Sequence, residues 1–332
     1  MSSASVPDYS IVVPVYFNEG SLEYTANRIF GEVFAKYPER VGEIVFVDDG
    51  SGDGSFEKLM SIHREHPECV RVIRLSRNFG QVNAWWCGLE HTPGPVVVVS
   101  ADGQDPIDLI PTMLKRHFEG GVEVVIATRE SREESAWRRM TSSLVYNCIR
   151  KFGNADMPSG GFDFFLLGDR AKRVLLSRWQ PNTFFQVRVL DLGFRREMIP
   201  YCREGRKAGV SRWTFAKKFT YMLDGVLGHS YFPIRFMTVL GLLFSAFSFF
   251  LALFFFVAYF FNENVVRGWT PIILLILFVG GVQMMMTGII GEYLWRVLAQ
   301  ARNAPPYIVD EICDRKGQVP GVNGDTHGCG ER

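Results

Sequence analysis

The sequence has few of the patterns that mark metal clusters, nucleic-acid binding or secretion. Its six cysteines form no CxxC pair and no metal-ligand spacing, so we expect reduced thiols in a cytosolic domain. Basic and acidic residues number 36 and 35, which leaves a net charge of +1 and no overall polyanion-binding signature. Residues 1–9 lack the charged start and apolar core of a signal peptide. Nucleic acid is therefore not an expected partner, and no signal peptide is predicted.

Apolar runs long enough to cross a membrane are confined to the last third of the chain. Residues 236–261 form 26 positions without a charge, and residues 271–290 form another 20. Each run is long enough for a helix to cross a hydrocarbon core of about 30 Å. Lysine and arginine flank the pair on its outer sides, so the link between the runs is expected outside and both flanks in the cytoplasm. We predict two transmembrane helices, at about 236–261 and 270–295.

The first half of the chain alternates apolar, β-branched runs with segments of helical periodicity. This alternation predicts a parallel, doubly wound sheet, because right-handed crossovers connect parallel strands through helices. The same crossovers bring the carboxyl ends of the strands to one edge. The predicted strands of this part are 10–15, 43–47, 70–75, 96–100 and 122–128.

Polar side chains follow these strands directly. Glu19, Asp49, Asn78 and Asp102 each come just after a predicted strand, so we expect them to share one crevice at the sheet edge. Neither a Walker sequence nor GxGxxG is present to cradle a phosphate. Asp48 and Asp49 instead suggest acceptors for a ribose hydroxyl or a base N–H, with a solvated turn as the alternative.

The run of four valines before Ser100 ends in the strongest candidate site. Asp102, Gln104 and Asp105 would lie at its mouth, and their oxygens suit Mg²⁺ or Mn²⁺. Asp105 followed by Pro106 also fits a helix N-cap for a helix over 107–118, and we assign Asp105 mainly to that role. Asp53 is assigned in the same way to capping a helix over 55–66.

Later segments predict further elements. A charged loop from Arg129 leads into a helix over 137–152, and a helix over 183–192 precedes a strand over 196–201. Asp163 lies between glycines and aromatic residues, where burial would raise its pKa or demand a partner. A basic loop over 203–213 precedes an amphipathic helix, which we predict to lie at the membrane interface, with packing against the soluble part as the alternative.

Seven short motifs connect these observations: Val-Pro-Val-Tyr-Phe-Asn-Glu, Val-Asp-Asp-Gly-Ser-Gly-Asp, Leu-Ser-Arg-Asn-Phe-Gly, Ser-Ala-Asp-Gly-Gln-Asp-Pro, Gly-Gly-Phe-Asp-Phe-Phe-Leu, Arg-Lys-Ala-Gly-Val-Ser-Arg-Trp and Gly-Glu-Tyr-Leu. In this order they resemble the GT-A fold, family 2 glycosyltransferases that load a sugar onto a polyprenyl phosphate. That group includes dolichyl-phosphate mannose synthase and bacterial undecaprenyl-phosphate glycosyltransferases.

The resemblance implies an organisation for the whole chain. Residues 1–212 would form a cytoplasmic α/β domain of GT-A type, with a mostly parallel, Rossmann-like sheet. An interfacial helix over 213–232, a transmembrane hairpin within 233–300 and a cytoplasmic tail over 301–332 would follow. The protein is then expected in a bacterial inner membrane, with both termini cytoplasmic, and a homo-oligomer is plausible for an exposed hairpin.

The resemblance also implies roles for individual residues. Donor contacts are expected at Pro14, Tyr16, Glu19, Asp49, Asn78, Asp102 and Gln104. Within this set, Asp102 and Gln104 would hold the Mg²⁺ or Mn²⁺, and Asp102 would act in catalysis together with Asp163. The acceptor phosphate is expected at Arg206, Lys207, Ser211 and Arg212. One position departs from the family pattern, because Ser100 stands where many members have the first acid of Asp-Ala-Asp, and this makes Asp105 a candidate substitute ligand.

The activity implied is metal-dependent, inverting transfer of a monosaccharide from a UDP- or GDP-sugar to the phosphate of undecaprenyl or dolichyl phosphate. One alternative is a glycosyltransferase for another lipid or for a polysaccharide, although the Gln-x-x-Arg-Trp motif of processive synthases is missing. A second alternative is a non-catalytic membrane scaffold or sugar-nucleotide sensor, which the serine at position 100 makes conceivable.

Overall fold

A computed structural model describes residues 6–129, 150, 156–158, 161–177, 184–201, 232–261, 269–302, 304–314 and 317–320. Three predicted segments lie wholly or almost wholly outside these ranges: the helix over 137–152, the basic loop over 203–213 and the interfacial helix over 213–232.

Strands and helices alternate from the start, as predicted. They are β1 (Tyr9–Val15), α1 (Leu22–Ile29), β2 (Gly42–Asp48), α2 (Ser55–Glu65), β3 (Val70–Leu75), α3 (Gln81–Glu90), β4 (Val96–Val98), α4 (Ile110–Phe118) and β5 (Val124–Arg129). A π-helical turn over Phe30–Phe34 extends α1, and a 3₁₀ turn over Ile107–Leu109 precedes α4. The second part adds β6 (Phe165–Leu167), α5 (Asp169–Leu176), α6 (Phe185–Leu190), β7 (Arg196–Tyr201), α7 (Phe232–Phe261), α8 (Trp269–Ala301), β8 (Val309–Asp314) and β9 (Gly317–Pro320).

In the part of the chain that the structure describes, the strands form one sheet in the order β7-β5-β6-β4-β1-β2-β3-β8-β9. Only β6 and β8 run against the other strands, so the expected mostly parallel sheet is confirmed. Strands β1, β2 and β4 are buried on both faces, which explains their runs of β-branched residues.

The two faces of the sheet carry separate apolar cores. One core packs under α1, α2 and α4, and the other packs under α3, α5 and α6. In the second core Trp85 contacts the rings of Phe165 and Phe185, with centroid distances of 5.7 and 5.2 Å. Helices on both faces are the doubly wound arrangement that the alternation predicts.

Strand β6 was not expected from the sequence. It is three residues long, too short to show a periodic pattern, and it inserts antiparallel between β4 and β5. Because β6 runs in the opposite direction, its first residue lies at the edge where β4 and β5 end. Asp163, two positions before β6, is thereby brought to the edge of the sheet that carries the predicted site.

The segment predicted as a cytoplasmic tail contains two more strands. Strand β8 pairs antiparallel with β3, and β9 pairs with β8. Ser76 donates its backbone N–H to the carbonyl of Ile308 at 3.0 Å, and the Tyr307 hydroxyl donates to Glu90 Oε2 at 2.6 Å. The chain after α8 therefore returns to the sheet beside the β3 loop. Three of the six residues of β8 are acidic, including the consecutive pair Asp310 and Glu311, so β8 lacks the regular alternation by which a strand is recognised in a sequence.

The long helices α7 and α8 occupy the two apolar runs, so helical structure there is confirmed. The rings of Phe244 and Phe278 bring the two helices into contact, with centroids 5.6 Å apart. Among the described residues, no helix meets the combined length and hydropathy expected of a membrane span. The two predicted spans are therefore not confirmed.

The hydroxyl of Tyr9 is a buried polar group with no hydrogen-bond partner among the described residues. The side chain is 0% exposed, and burial raises its pKa above the ordinary value. Because an unpartnered buried hydroxyl destabilises the folded state, Tyr9→Phe should raise the free energy of unfolding by about 1 kcal/mol. Denaturant unfolding measures this change, and a loss of stability would show that the hydroxyl is satisfied.

Candidate active site

The loops after β1 and β2 are joined at the carboxyl edge of the sheet. The backbone N–H of Phe17 donates to Ser51 Oγ at 3.1 Å, and that of Gly54 donates to Glu19 Oε2 at 3.2 Å. Phe17 has a φ of 56°, a left-handed conformation that is unfavourable for a bulky residue. Such strain is often held at functional sites, and here the contact with Ser51 helps to hold it.

Asp49 fixes the loop after β3. It is 2% exposed and accepts the backbone N–H groups of Phe79 and Gly80 at 2.7 and 2.9 Å. Burial raises the pKa of Asp49 to about 6, although the two N–H donors oppose the shift. The loop that it orders carries the exposed side chain of Asn78. Asp49 and Asn78 therefore lie together at the predicted edge.

The raised pKa of Asp49 predicts a pH-dependent contribution to stability. Its folded-state pKa of about 6 lies above the ordinary value of 3.8, so the contribution is complete below pH 4 and is lost as pH rises through 6. Relative to Asp49→Asn, the wild type should lose about 2 kcal/mol of unfolding free energy between pH 4 and pH 7. Denaturant unfolding of both proteins at both pH values measures this loss. A stability difference that does not change with pH would contradict it.

The neighbouring Asp48 is fully buried, and burial raises its pKa. Its Oδ1 accepts the backbone N–H of Ser51 at 3.2 Å, while its Oδ2 has no partner among the described residues. Asp53 accepts the N–H of Ser55 at 3.2 Å, although Gly54 is the N-cap of α2. The predicted capping by Asp53 is thus displaced by one residue.

Residues 100–105, here called the β4 turn, are tied to α1. The hydroxyls of Ser21 and Thr25 both donate to the carbonyl of Ala101, at 2.7 and 3.3 Å. Gly103 has a φ of 67°, which explains the glycine within the turn. The loops after β1 and β4 are therefore held together, as the sequence predicted for the strand ends.

Within the β4 turn, one hydroxyl lies between two carboxylates. Ser100 Oγ is 2.7 Å from Asp102 Oδ1 and 2.6 Å from Asp105 Oδ2. A hydroxyl has one proton to donate, so it satisfies one of these oxygens at a time. The turn therefore concentrates acceptor oxygens, a setting that suits a bound cation.

The assignment of Asp105 to a helix cap is wrong. The 3₁₀ turn has Pro106 as its N-cap and no side-chain cap hydrogen bond. The Asp105 carboxylate, 1% exposed, instead points back into the turn and accepts the N–H of Ser100 at 3.0 Å. The Tyr201 hydroxyl donates to its other oxygen at 3.2 Å. The Tyr201 hydroxyl and the Ser100 N–H thus take the place of the helix N-terminus as partners of Asp105. No local pattern in the sequence marks Tyr201 as such a partner.

The donor atoms of the β4 turn fit a hard divalent cation. Asp102 is half-buried and Gln104 is buried, and together they supply carboxylate and amide oxygens. Across the described ranges, no three His, Cys, Asp or Glu side chains are grouped so as to hold a metal by themselves. Mg²⁺ commonly binds through one or two carboxylates together with substrate phosphates, and the turn offers this arrangement.

Arg129 is a further candidate site residue, which the sequence analysis did not predict. It ends β5, and its Nη2 is 2.6 Å from Asp163 Oδ2, so the two side chains form a part-buried ion pair. Burial works to lower the pKa of Arg129, but Asp163, Tyr201 and Asp105 together more than offset this and leave the pKa raised. Its position could have indicated a role, since Arg129 directly follows the predicted strand over 122–128, as the other candidates follow theirs. The run of charged residues after it suggested a solvated loop instead.

The remaining predicted residues are placed as follows. Pro14 and Tyr16 are half-buried at the end of β1, and the Tyr16 N–H donates to Asn18 Oδ1 at 2.9 Å. The expected acceptor-phosphate residues, Arg206, Lys207, Ser211 and Arg212, lie outside the described residues.

Comparison with known proteins identifies the family. The sequence model of glycosyl transferase family 2 matches residues 10–191. The putative glycosyltransferase CsbB of Bacillus subtilis is 32% identical over 95% of this chain and 94% of its own. The SfII prophage-derived bactoprenol glucosyl transferase of Shigella flexneri is 30% identical over 90% of this chain and 96% of its own.

Among solved structures, glucosyl-3-phosphoglycerate synthase from Mycobacterium tuberculosis, in complex with Mn²⁺ and UDP-glucose, aligns with 66% of this chain and 79% of its own. Its sequence identity is 17% and its TM-score 0.47. The family match and the mostly parallel sheet together confirm the predicted GT-A α/β fold. Because the family match covers more than half of its residues, the chain belongs to glycosyltransferase family 2 and is a glycosyltransferase.

Proposed function

We propose that the protein transfers a monosaccharide from a UDP- or GDP-sugar to the phosphate of a polyprenyl phosphate at the cytoplasmic face of a membrane. The observation that carries this proposal is the pairing of an oxygen-rich turn with a guanidinium at one sheet edge. The β4 turn suits a cation on the donor diphosphate, and Arg129 suits an anionic acceptor. Relatives named bactoprenol glucosyl transferase support a lipid phosphate as that acceptor.

On the donor side, Asp102 and Gln104 would hold Mg²⁺ or Mn²⁺ against the diphosphate. When bound there, the cation stabilises the negative charge that gathers on the leaving nucleoside diphosphate. Pro14, Tyr16 and Glu19 line the β1 loop, and Asp49 orders the β3 loop that carries Asn78. These loops are joined by hydrogen bonds, so the donor would bind to an edge that is already ordered.

On the acceptor side, an oxygen of the lipid phosphate attacks the anomeric carbon. The new carbon–oxygen bond forms as the bond to the nucleoside diphosphate breaks, which inverts the anomeric configuration. A phosphate monoester with a second pKa of about 6 is mostly ionised at neutral pH, so no strong general base is required. Asp163 is therefore assigned to holding Arg129, and Arg129 to offsetting the repulsion between two anions.

The long helices support a membrane location in this proposal. Many of their large apolar side chains are exposed, including Leu242 at 71%, Phe250 at 67% and Met284 at 73%. Exposed apolar surface of this extent marks contact with a membrane or with another protein. We place α7 and α8 in the bilayer that also holds the lipid acceptor. We also propose that copies of the protein associate with one another through these two helices.

A transfer assay with a panel of donors and acceptors tests the proposed function. The purified protein is incubated with UDP- and GDP-sugars, Mg²⁺ or Mn²⁺, and either undecaprenyl phosphate or dolichyl phosphate, and lipid products are detected by mass spectrometry. Undecaprenol, which lacks the phosphate, is the matched control acceptor. We expect a glycosylated product from a phosphorylated lipid alone, and chelation of the metal should abolish it. Equal transfer to undecaprenol, or donor binding without transfer across the panel, would overturn the proposal.

A further inference from the structure

A continuous set of polar contacts joins the two sides of the proposed site. Starting from the β4 turn, Ser100 Oγ contacts Asp105 Oδ2 at 2.6 Å, and the Tyr201 hydroxyl donates to Asp105 Oδ1 at 3.2 Å. Arg129 Nε donates to the same tyrosine hydroxyl at 3.3 Å, and Arg129 Nη2 donates to Asp163 Oδ2 at 2.6 Å. One phenolic oxygen therefore links the carboxylate of the donor side to the guanidinium of the acceptor side.

The position of this oxygen is set by the sheet. Tyr201 is the last residue of β7, which pairs with β5 and is separated from β4 by β5 and β6. In the pairing of β5 with β7, Tyr201 is the register partner of Arg129. Its side chain is 6% exposed, and its ring packs edge-to-face against Phe164 with centroids 6.2 Å apart. Packing of the ring thus helps to hold the hydroxyl in place, together with its hydrogen bonds.

The chemistry of the link requires a hydroxyl. Tyr201 donates to a carboxylate and accepts from a guanidinium at the same time, a dual role that a phenol can play and a phenyl ring cannot. Asp105 is 1% exposed and relies on such donors, because a buried carboxylate without partners is unfavourable. Arg129 Nε carries its own N–H, separate from the Nη2 donor that is directed at Asp163, and the Tyr201 hydroxyl supplies its acceptor.

We propose that the Tyr201 hydroxyl is a positioning group that sets the place of Arg129 relative to the β4 turn. The inference rests on the proposed function, because it matters where an attacking phosphate must meet a breaking glycosidic bond. Alignment of reacting atoms is demanding, and a misplacement of about 1 Å can cost roughly a hundredfold in rate. Tyr201 itself touches neither substrate in this account and acts through Arg129 and Asp105.

The first variant is Tyr201→Phe, which removes one oxygen and keeps the packed ring. We expect kcat to fall about tenfold to a hundredfold, with KM for the sugar nucleotide nearly unchanged. The melting temperature should fall modestly, because the buried Asp105 carboxylate loses one of its donors. The matched control is Tyr9→Phe, another buried tyrosine whose hydroxyl has no partner among the described residues and lies at the opposite end of β1 from the site. Its kcat should equal that of the wild type.

A second background separates positioning from packing. Lysine has no Nε, so Arg129→Lys already removes the contact with the tyrosine hydroxyl while keeping a positive charge. Adding Tyr201→Phe to Arg129→Lys should then lower kcat less than twofold. A tyrosine that serves packing alone would cost the same factor in both backgrounds.

The outcomes distinguish this inference from the proposed function. If Tyr201→Phe kept a kcat within twofold of the wild type, the positioning role would be overturned while lipid-phosphate transfer stood. Equal losses of kcat in the wild-type and Arg129→Lys backgrounds would overturn it in the same way. A wild-type protein that transfers no sugar to lipid phosphate would overturn the proposed function and this inference with it. A large loss in the wild-type background that disappears in Arg129→Lys supports the inference.

Discussion

Replacing Asp102 with alanine is expected to lower the rate of sugar transfer by roughly a thousandfold, because one carboxylate of the β4 turn would be lost where charge gathers on the leaving group. The protein should stay folded, since Asp102 is half-buried and lies in a turn, where it contacts Ser100 and Gln104 of the same turn. Initial rates at saturating donor, followed by labelled sugar in the lipid fraction, measure the effect.

Asp108→Ala provides the matched control for Asp102→Ala. Asp108 lies a few residues further along the same segment and its side chain is 60% exposed. Its ion pair with Arg28 is long, at 3.8 Å. Its removal should leave the rate within twofold of the wild type. An unchanged rate in Asp102→Ala would remove the cation from this turn, and equal losses in both variants would point to a general effect on the loop.

Replacing Asp163 with asparagine is expected to lower the rate of transfer by roughly a hundredfold and to destabilise the fold. The change keeps the size of the side chain but leaves the positive charge of Arg129 without its closest partner at 2.6 Å. Because the two side chains are 26% and 35% exposed, solvent screens part of the loss, and we expect about 1 kcal/mol in the free energy of unfolding. Transfer rates and denaturant unfolding measure the two effects separately.

The control for this pair is Asp169→Asn, which breaks the exposed ion pair between Asp169 and Arg173 at 2.9 Å on α5. An exposed pair of this kind contributes less than about 0.5 kcal/mol, and its loss should not alter transfer. If Asp163→Asn proved as mild as Asp169→Asn in both measurements, the pair with Arg129 would have no role in the reaction.

Much of the candidate site could be predicted from the sequence by asking which polar residues directly follow the parallel strands. Buried valine-rich runs identified β1 to β5, and the rule that parallel strands end at one edge predicts that the loops carrying Glu19, Asp49, Asn78 and Asp102 lie side by side. Hydrogen bonds between these loops are consistent with that placement. The rule worked because these side chains follow strands whose direction is fixed by local crossovers. The rule applied equally to Arg129, which was set aside only because a run of charges follows it.

The parts that the sequence did not reveal depend on contacts between distant segments. Strand β6 has three residues and gains its stability from β4 and β5 on either side, so no local pattern marks it. The role of Asp105 depends on Tyr201, which is 96 positions away in the sequence. Asp105 beside Pro106 has the local signature of a cap, and a tertiary hydrogen bond overrides that signature.

In the proposed reaction, an oxygen of a lipid phosphate displaces the nucleoside diphosphate from the anomeric carbon. The most direct measurement is the linkage and anomeric configuration of the lipid product, determined by phosphorus and proton NMR with a donor of known configuration. We expect a phosphodiester between lipid and sugar, with the anomeric configuration inverted. A retained configuration, or a sugar attached to the lipid without a bridging phosphate, would contradict it.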